Sequence, residues 1–405
     1  MMKLKIQKKA LLPLLKRAVA CTEPRGTKEE AKMVRFEAKE GVLTLTATDY
    51  TLQFSGTTQA TVEKEGAVCI EARGMLQRIE AMPDGWLLLE EGPKKLKIKG
   101  HDTRRSFAVE LSQIDYPTLR WGEEVPALFE MPGNGLATLI EAASWTAETS
   151  DVGRPELNVV RIIPHAGEVL VEAASSAKAA QVRVKHPTLS EGVFPVQLRN
   201  AGEIVATCRA LGDTLVTVRG NDRSLYLDAD GARMGTYLPA VPMINLQLLL
   251  DGLAPKAGEH HEEVVVSKRA ITEAVGALLV AVDDIDIALY MLVEAGSVHL
   301  LAAGKGDGHD VIPTASPITT PQARRFNAKN LHDSVKAVKG EDVSFTLVAG
   351  HDRPWLVQET TSWLSQTIML QPMAWDGTSQ AVVAFMEGRG VTSFPRQKPL
   401  PKAGA

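Results

Sequence analysis

The sequence predicts an α+β protein made of three repeats of one unit, each pairing two amphipathic helices with short antiparallel strands. Two landmarks carry this prediction. The first is a hairpin. Val34–Asp49 (VRFEAKEGVLTLTATD) alternates apolar and polar residues around a Glu-Gly turn, the pattern of a two-stranded ribbon with one buried face. Asn158–Ser175 and Ile287–Gly304 have the same shape, and their turn glycines Gly41, Gly167 and Gly296 fall 126 and 129 residues apart. The second is a basic residue near the start of the second helix in each copy: Arg73, Arg199 and Lys329, spaced by 126 and 130. Two independent landmarks with one period mark three domains, at 1–124, 125–250 and 251–375. A flexible tail is expected over 376–405.

In the first unit, Leu11, Leu14, Leu15 and Ala18 recur at helical spacing, with Lys8, Lys9, Lys16 and Arg17 on the other faces. Pro13 lies near the start of that pattern, where a helix tolerates it better than in its middle. The hairpin and a strand-rich stretch over Thr51–Val62 follow. Cys69–Met82 reads as a second short helix stopped by Pro83-Asp84-Gly85. WLLLEE and KKLKIKG read as another hairpin, and SFAVELSQIDYPTL closes the unit. The second unit repeats the order with LATLIEAASWTAE, its hairpin, VQLRNAGEIVATCRALG and DTLVTVRGNDRSLYLDA. Pro239–His261 reads as a connector. SKRAITEAVGALLVAV, a hairpin, FNAKNLHDSVKAVKG, VSFTLVAGHDRPWLVQE and TIMLQPMAW complete the third unit.

A chain of 405 residues with 44% hydrophobic and 23% charged residues is an ordinary globular composition. Its apolar runs, Ala277–Val282 among them, are far short of a membrane span, and no cleavage site follows the basic N-terminus. A cytoplasmic protein is expected. Cys21, Cys69 and Cys208 are odd in number and far apart, which points to buried reduced thiols. The net charge of −4 excludes a protein that holds nucleic acid by overall charge. A DNA role would rest on a local basic surface or on geometry.

Units lined up edge to edge place helices on one surface and a sheet on the other, and a closed row leaves no free strand edges. With that arrangement, the opening MKLKIQKKALLPLLKRAV, the hairpin GVLTLTATD, SFAVELSQIDYPTL, the pair LIEAASWTAE and DVGRPELN, and the closing TIMLQPMAW resemble the bacterial DNA polymerase III β subunit, the sliding clamp. The resemblance covers Met2 to Trp375. It implies a head-to-tail homodimer closing into a six-domain ring around duplex DNA, with twelve helices lining the hole. It also implies docking of the polymerase III catalytic subunit and the clamp loader through a short peptide, roughly Gln-x-x-Leu-x-Phe. No cofactor or metal and no membrane partner is implied.

Carried over residue by residue, the resemblance implies DNA contacts at Arg25, Arg154, Arg73, Arg199 and Lys329, with Lys16, Arg17, Arg78, Arg209 and Lys336 as weaker candidates. It implies a peptide groove at Leu157, Ser175, Ala177, Lys178, Pro255, Met369, Leu370, Pro372 and Met373, and a ring interface at Phe107, Val109, Leu278 and Leu279. Against these stand the bland readings of solvated helix faces and plain core packing. Departures from the family's pattern are Ala179 and Ala180 in place of Arg and Leu, Pro155 and Glu156 in place of an aromatic pair, the charged GTKEEAKM loop, and Gln371 and Trp375 near the end. They favour a diverged copy, and a paralog serving repair, plasmid or resistance functions is one rival reading. A monomeric protein-binding scaffold is another.

Gln380–Phe385 loosely matches the partner peptide, a match more simply read as coincidence. Gly304–His309 lacks the full phosphate-loop pattern, and no catalytic motif appears, so no enzymatic activity is expected. His260–Glu263 and Asp283–Asp286 read as solvated loops rather than metal ligands.

Overall fold

The computed structural model describes the chain except residues 151–152, 257, 260, 284–286, 349–352, 376–377, 379 and 392–405. The described chain forms two compact units. The first comprises residues 1–141, 160–168 and 187–241, and the second 142–159, 169–186 and 242–405, so the middle third of the chain contributes to both.

The first unit carries helices α1 (Lys8–Ala20), α2 (Ala72–Ala81), most of α3 (Gly133–Ser144) and α4 (Leu198–Leu211) with a 13-stranded sheet. The hairpin that marks the repeat pairs Val34 with Ala47 and Lys39 with Val42. Its turn places Glu40 and Gly41 at φ 50° and 80°, the left-handed pair that a two-residue hairpin needs and that glycine supplies without strain. Ala166 and Gly167 repeat it at 49° and 79°. Strand Leu52–Gln59 continues the meander and then pairs with Ala232–Tyr237, Phe54 opposite Met234. One ladder thus joins strands from the first and second thirds of the chain. Beneath it, Leu11, Leu15 and Ala18 of α1 and Met75 and Ile79 of α2 are fully buried. Gly56 lies where a Cβ would come within 2.4 Å of Leu14 Cδ1, so α1 approaches the ladder as closely as backbone permits.

A lysine at the first position of α1 closes the end of α2. Lys8 Nζ donates to the carbonyls of Glu80 (3.0 Å) and Met82 (2.5 Å). The third repeat uses the same device: Lys268 Nζ donates to Val338 O at 2.5 Å. An ammonium there satisfies orphan carbonyls and complements the negative helix end. In the second repeat Gly133 takes that place, with Cys208 O 2.6 Å from where a Cβ would sit. Lys8→Met and Lys268→Met are each expected to lower unfolding free energy by about 1.5–3 kcal/mol, the scale of a charged hydrogen bond. Denaturant melts check this.

The second unit carries α5 (Leu246–Leu253), α6 (Lys268–Leu278), α7 (Ala328–Ala337) and α8 (Gln380–Glu387). Strand Lys178–Lys185 pairs with Ser365–Leu370, and the ladder runs on through Trp355–Thr360 and Asp342–Val348 to His261–Ser267. A separate four-stranded sheet orders Asp307–Pro313, Ser297–Ala303, Ala288–Glu294 and Gln322–Asn327.

Two expectations are corrected. The connector Pro239–His261 contains helix α5, signalled by Asn245, whose side chain accepts from Leu248 N at 2.9 Å, and by Leu246 and Leu250 at i, i+4 spacing. The tail is not structureless throughout. Val382 and Met386 of α8, and Val391 beyond it, are buried against Tyr290, Leu292, Leu301, Ala323 and Trp375. Apolar residues three to five apart in QAVVAFMEGRGV supply the stripe that holds this segment down. All three cysteines are buried and free. His260 and Asp284–Asp286 lie outside the described residues. Glu262 anchors a loop, accepting from Thr319 N, Thr319 Oγ1 and Thr320 N.

Candidate functional site

The groove residues are built on the ladder of the second unit. Ala179 pairs with Met369, and Met369 with Leu356. Their side chains share one face because paired residues of a ladder point the same way. With Leu157, Ala174, Leu246 and Leu250 they form a single apolar cluster, flanked by half-buried Ile244 and Leu253. Ala179 offers one methyl, and Leu246 and Leu250 reach down from α5 onto that face. Leu248 and Leu249 stay on its outer side, 69% and 42% exposed. Periodicity made these leucines readable, but a connector rich in Pro and Gly hid them.

The remaining groove candidates divide. Ser175, Ala177 and Lys178 sit on an adjoining tight turn in which Ser175 N donates to Lys178 O (2.8 Å), while Ala177 O accepts from Gln371 N (3.1 Å). Lys178 Nζ stands 4.7 Å from the Trp145 ring centroid. Burial pulls its pKa below the ordinary lysine value, partly offset by Asp333 and Glu148. Leu370 is fully buried and outside the cluster, as strand alternation demands for the neighbour of Met369. Pro255, beyond the end of α5, and Pro372 and Met373 are half-buried and also outside it. Met373 N donates to Arg325 O.

Beside the apolar cluster lies a polar cavity of about 350 Å³. Gln181 Nε2 donates to Glu172 and Gln247, Arg183 donates to Gln181 and Gln247, and Gln247 Nε2 donates to Asp251 at 2.6 Å. The apolar cluster itself is buried, and only its Leu250 and Leu356 reach this cavity; polar groups beside apolar side chains are what an extended peptide with apolar anchors needs.

The repeat-matched cations share one structural position. Arg73, Arg199 and Lys329 are each the second residue of their helix, α2, α4 and α7. The positive helix end opposes a cation there by about 0.3–1 kcal/mol, so helix stability does not account for the recurrence. Arg73 and Lys329 are exposed and have no ion pair among the described residues. Arg199 differs: its guanidinium lies 3.0 Å from the Asp49 carboxylate, whose side chain is 3% exposed. Arg25 is exposed on the loop after α1. Arg154 is paired with Glu156 at 3.1 Å, so the departure from the family's aromatic pair neutralises this arginine. Among the weaker candidates, Lys16, Arg17 and Arg209 pair with Glu80, Glu203 and Glu141, and Arg78 bonds Gly74 O; Lys336 is exposed.

Residues 2–120 match the family described as DNA polymerase III beta subunit, N-terminal domain. Among solved structures, the DNA polymerase III beta subunit of Thermotoga maritima superposes with a TM-score of 0.81 at 17% identity, covering 92% of this chain and 99% of that one. A Pseudomonas aeruginosa sliding clamp bound to griselimycin gives 0.80 at 19% identity, with the same coverage. The chain has the sliding-clamp fold. No curated protein sequence matches it.

Of the residues expected at a ring interface, Phe107 and Val109 lie on an edge strand, and Leu278 and Leu279 lie at the end of α6 beside another. Ser106–Glu110 pairs with Lys95–Lys99 on one side, while its partner on the other side, Gly66–Glu71, engages only Leu111 and Ser112. Phe107 is half-buried there and Val109 buried, opposite Ile98 and Leu96. In the second unit, Asp307–Pro313 ends its sheet. Leu278 is 7% exposed and lies beneath this strand, where a Cβ on Gly308 would come within 2.6 Å of its Cδ2. Leu278 is therefore largely interior to its own unit. Leu279 is half-buried, and Val280, unremarked in the sequence, is 82% exposed. Among the described residues no group of three His, Cys, Asp or Glu is arranged to hold a metal, and no helix is long and apolar enough to cross a membrane.

Proposed function

We propose that two copies of this chain, each of three domains at 1–124, 125–250 and 251–375, close head to tail into a ring around duplex DNA. The ring tethers the replicative polymerase and meets the clamp loader through short peptides taken into the groove over Leu157, Ala179 and Met369. The chain performs no chemistry of its own in this role. The observation that supports it most is the pair of open strand edges, Ser106–Glu110 in one unit and Asp307–Pro313 in the other. Inside the chain, strands from neighbouring thirds are joined by antiparallel ladders. A third ladder of that kind between copies covers both open edges, which would otherwise recruit foreign strands.

A linked ring needs only weak, sequence-independent contacts, which suits a net charge of −4. Arg25, Arg73 and Lys329 supply them, and Arg199 and Arg154 contribute less because acids already pair with them. Arg73→Glu with Lys329→Glu is expected to weaken binding evenly across DNA sequences. It should also flatten the dependence of log affinity on log salt by about 1 for each phosphate no longer neutralised. A titration series in salt reads this directly. Leucines of α5 over Ala179 favour a partner set shifted from that of relatives, so competition between natural polymerase and repair-protein peptides separates the replicative reading from a paralog. The decisive test is retention on closed circular DNA. Release on linearisation is expected, and retention unchanged by linearisation would refute encirclement.

A further inference from the structure

Helix α8 lies on the face of the four-stranded sheet opposite α6 and α7, and the solved clamps match only 92% of this chain. Phe385 packs edge-on against His299 and His309, with ring centroids 5.7 and 5.2 Å away, and Arg389 covers its other side. These contacts place α8 beside the open strand. Ala303 pairs with Asp307 and Leu301 with His309, so all four side chains share the α8 face. Between helix and strand edge lies an apolar notch of about 270 Å³, lined by Leu301, Ala303, His309, Ala381, Val382 and Phe385.

The complementary edge has a matching face. On strand Ser106–Ser112, the residues facing away from the buried side are Ser106, Ala108 and Glu110, opposite Lys99, Lys97 and Lys95. Ser106 and Ala108 are small enough to admit a helix above them. Lys97 and Lys99 are exposed and cationic, Lys95 being paired with Glu110 at 3.9 Å, while the notch carries Asp307 at its rim.

We infer that α8 is a clasp over the ring-closing seam. Its Ala381–Phe385 side and Asp307 cover Ser106, Ala108 and the lysine row of a second copy of this chain. The occupant is a second copy because the notch opens beside a strand edge that pairs with no further strand among the described residues, and because Asp307 on one edge is opposite in charge to Lys97 and Lys99 on the other. This inference rests on the ring reading above.

The test is the dimer dissociation constant of the full-length chain, measured by sedimentation. Ala381 is exposed, so Ala381→Arg fills the notch without disturbing the packing of Val382 or Met386. It is expected to weaken the dimer at least tenfold with an unchanged melting temperature of the separated chains. Asp307→Lys should weaken it severalfold, and adding Lys97→Glu should recover most of that loss. An unmodified dimer that tolerates both Ala381→Arg and Asp307→Lys overturns the clasp and leaves the ring standing. A wild-type chain that is monomeric at every concentration overturns the ring and the clasp together.

Discussion

A chain carrying Phe107→Asp is expected to sediment as a monomer and to leave closed circular DNA as fast as it leaves linear DNA. Phe107 sits on the strand whose outer edge between Ser106 and Glu110 pairs with no strand among the described residues, half-buried opposite Ile98. In a closed ring this side chain passes from partial exposure into a seam. A carboxylate there forgoes apolar burial and must shed water without a cation to receive it. That combination costs about 3 kcal/mol or more, roughly a hundredfold or greater in dimer affinity. The fold of each chain should survive, because Leu96, Ile98 and Val109 keep the inner face. A dimer of unchanged affinity with Phe107→Asp would place the copy-to-copy interface elsewhere.

Trp355→Ala is expected to destabilise the second unit by about 3–5 kcal/mol, the cost of truncating a fully buried large aromatic residue. Trp355 is 0% exposed. It meets Phe326 and Phe345 edge-on at 5.3 and 6.5 Å, and the Arg324 guanidinium lies 5.2 Å from its ring centre. Its strand also carries the groove: Trp355 opposes Leu370, and the next residue, Leu356, opposes Met369. The same substitution should therefore weaken docking of a polymerase-derived peptide while leaving the first unit's melt in place. Calorimetry that resolves two transitions, with only one shifted, checks both claims. A single unshifted transition would mean that Trp355 does not anchor this core.

Much of the fold was legible because alternation and helical spacing are local. The hairpins at Val34, Asn158 and Ile287 and the cations at Arg73, Arg199 and Lys329 kept their period through low overall similarity. The shared second position of those cations in their helices came only with the helix boundaries, since Cys69–Glu71 proved to be strand rather than helix. The site was legible in part. Leu157 and Met369 share one buried apolar cluster, whereas Leu370 turns to the other face and Leu278 lies mostly inside its unit. Neighbours on a strand point oppositely, and a one-residue difference in mapping decides which of them lines a groove. Arg199 was readable as a cation but not as the partner of Asp49, 150 residues away in sequence.

The sequence by itself determined the recurring hairpins with their turns and most of the amphipathic helices, because periodicity and turn chemistry act within a few residues. Only the tertiary structure decided which strand edges are paired and which remain open, that α5 packs onto the Ala179–Met369 face, and that the segment around Phe385 is a helix on its own sheet. Those outcomes depend on contacts between residues far apart in the chain, where burial outweighs local preference.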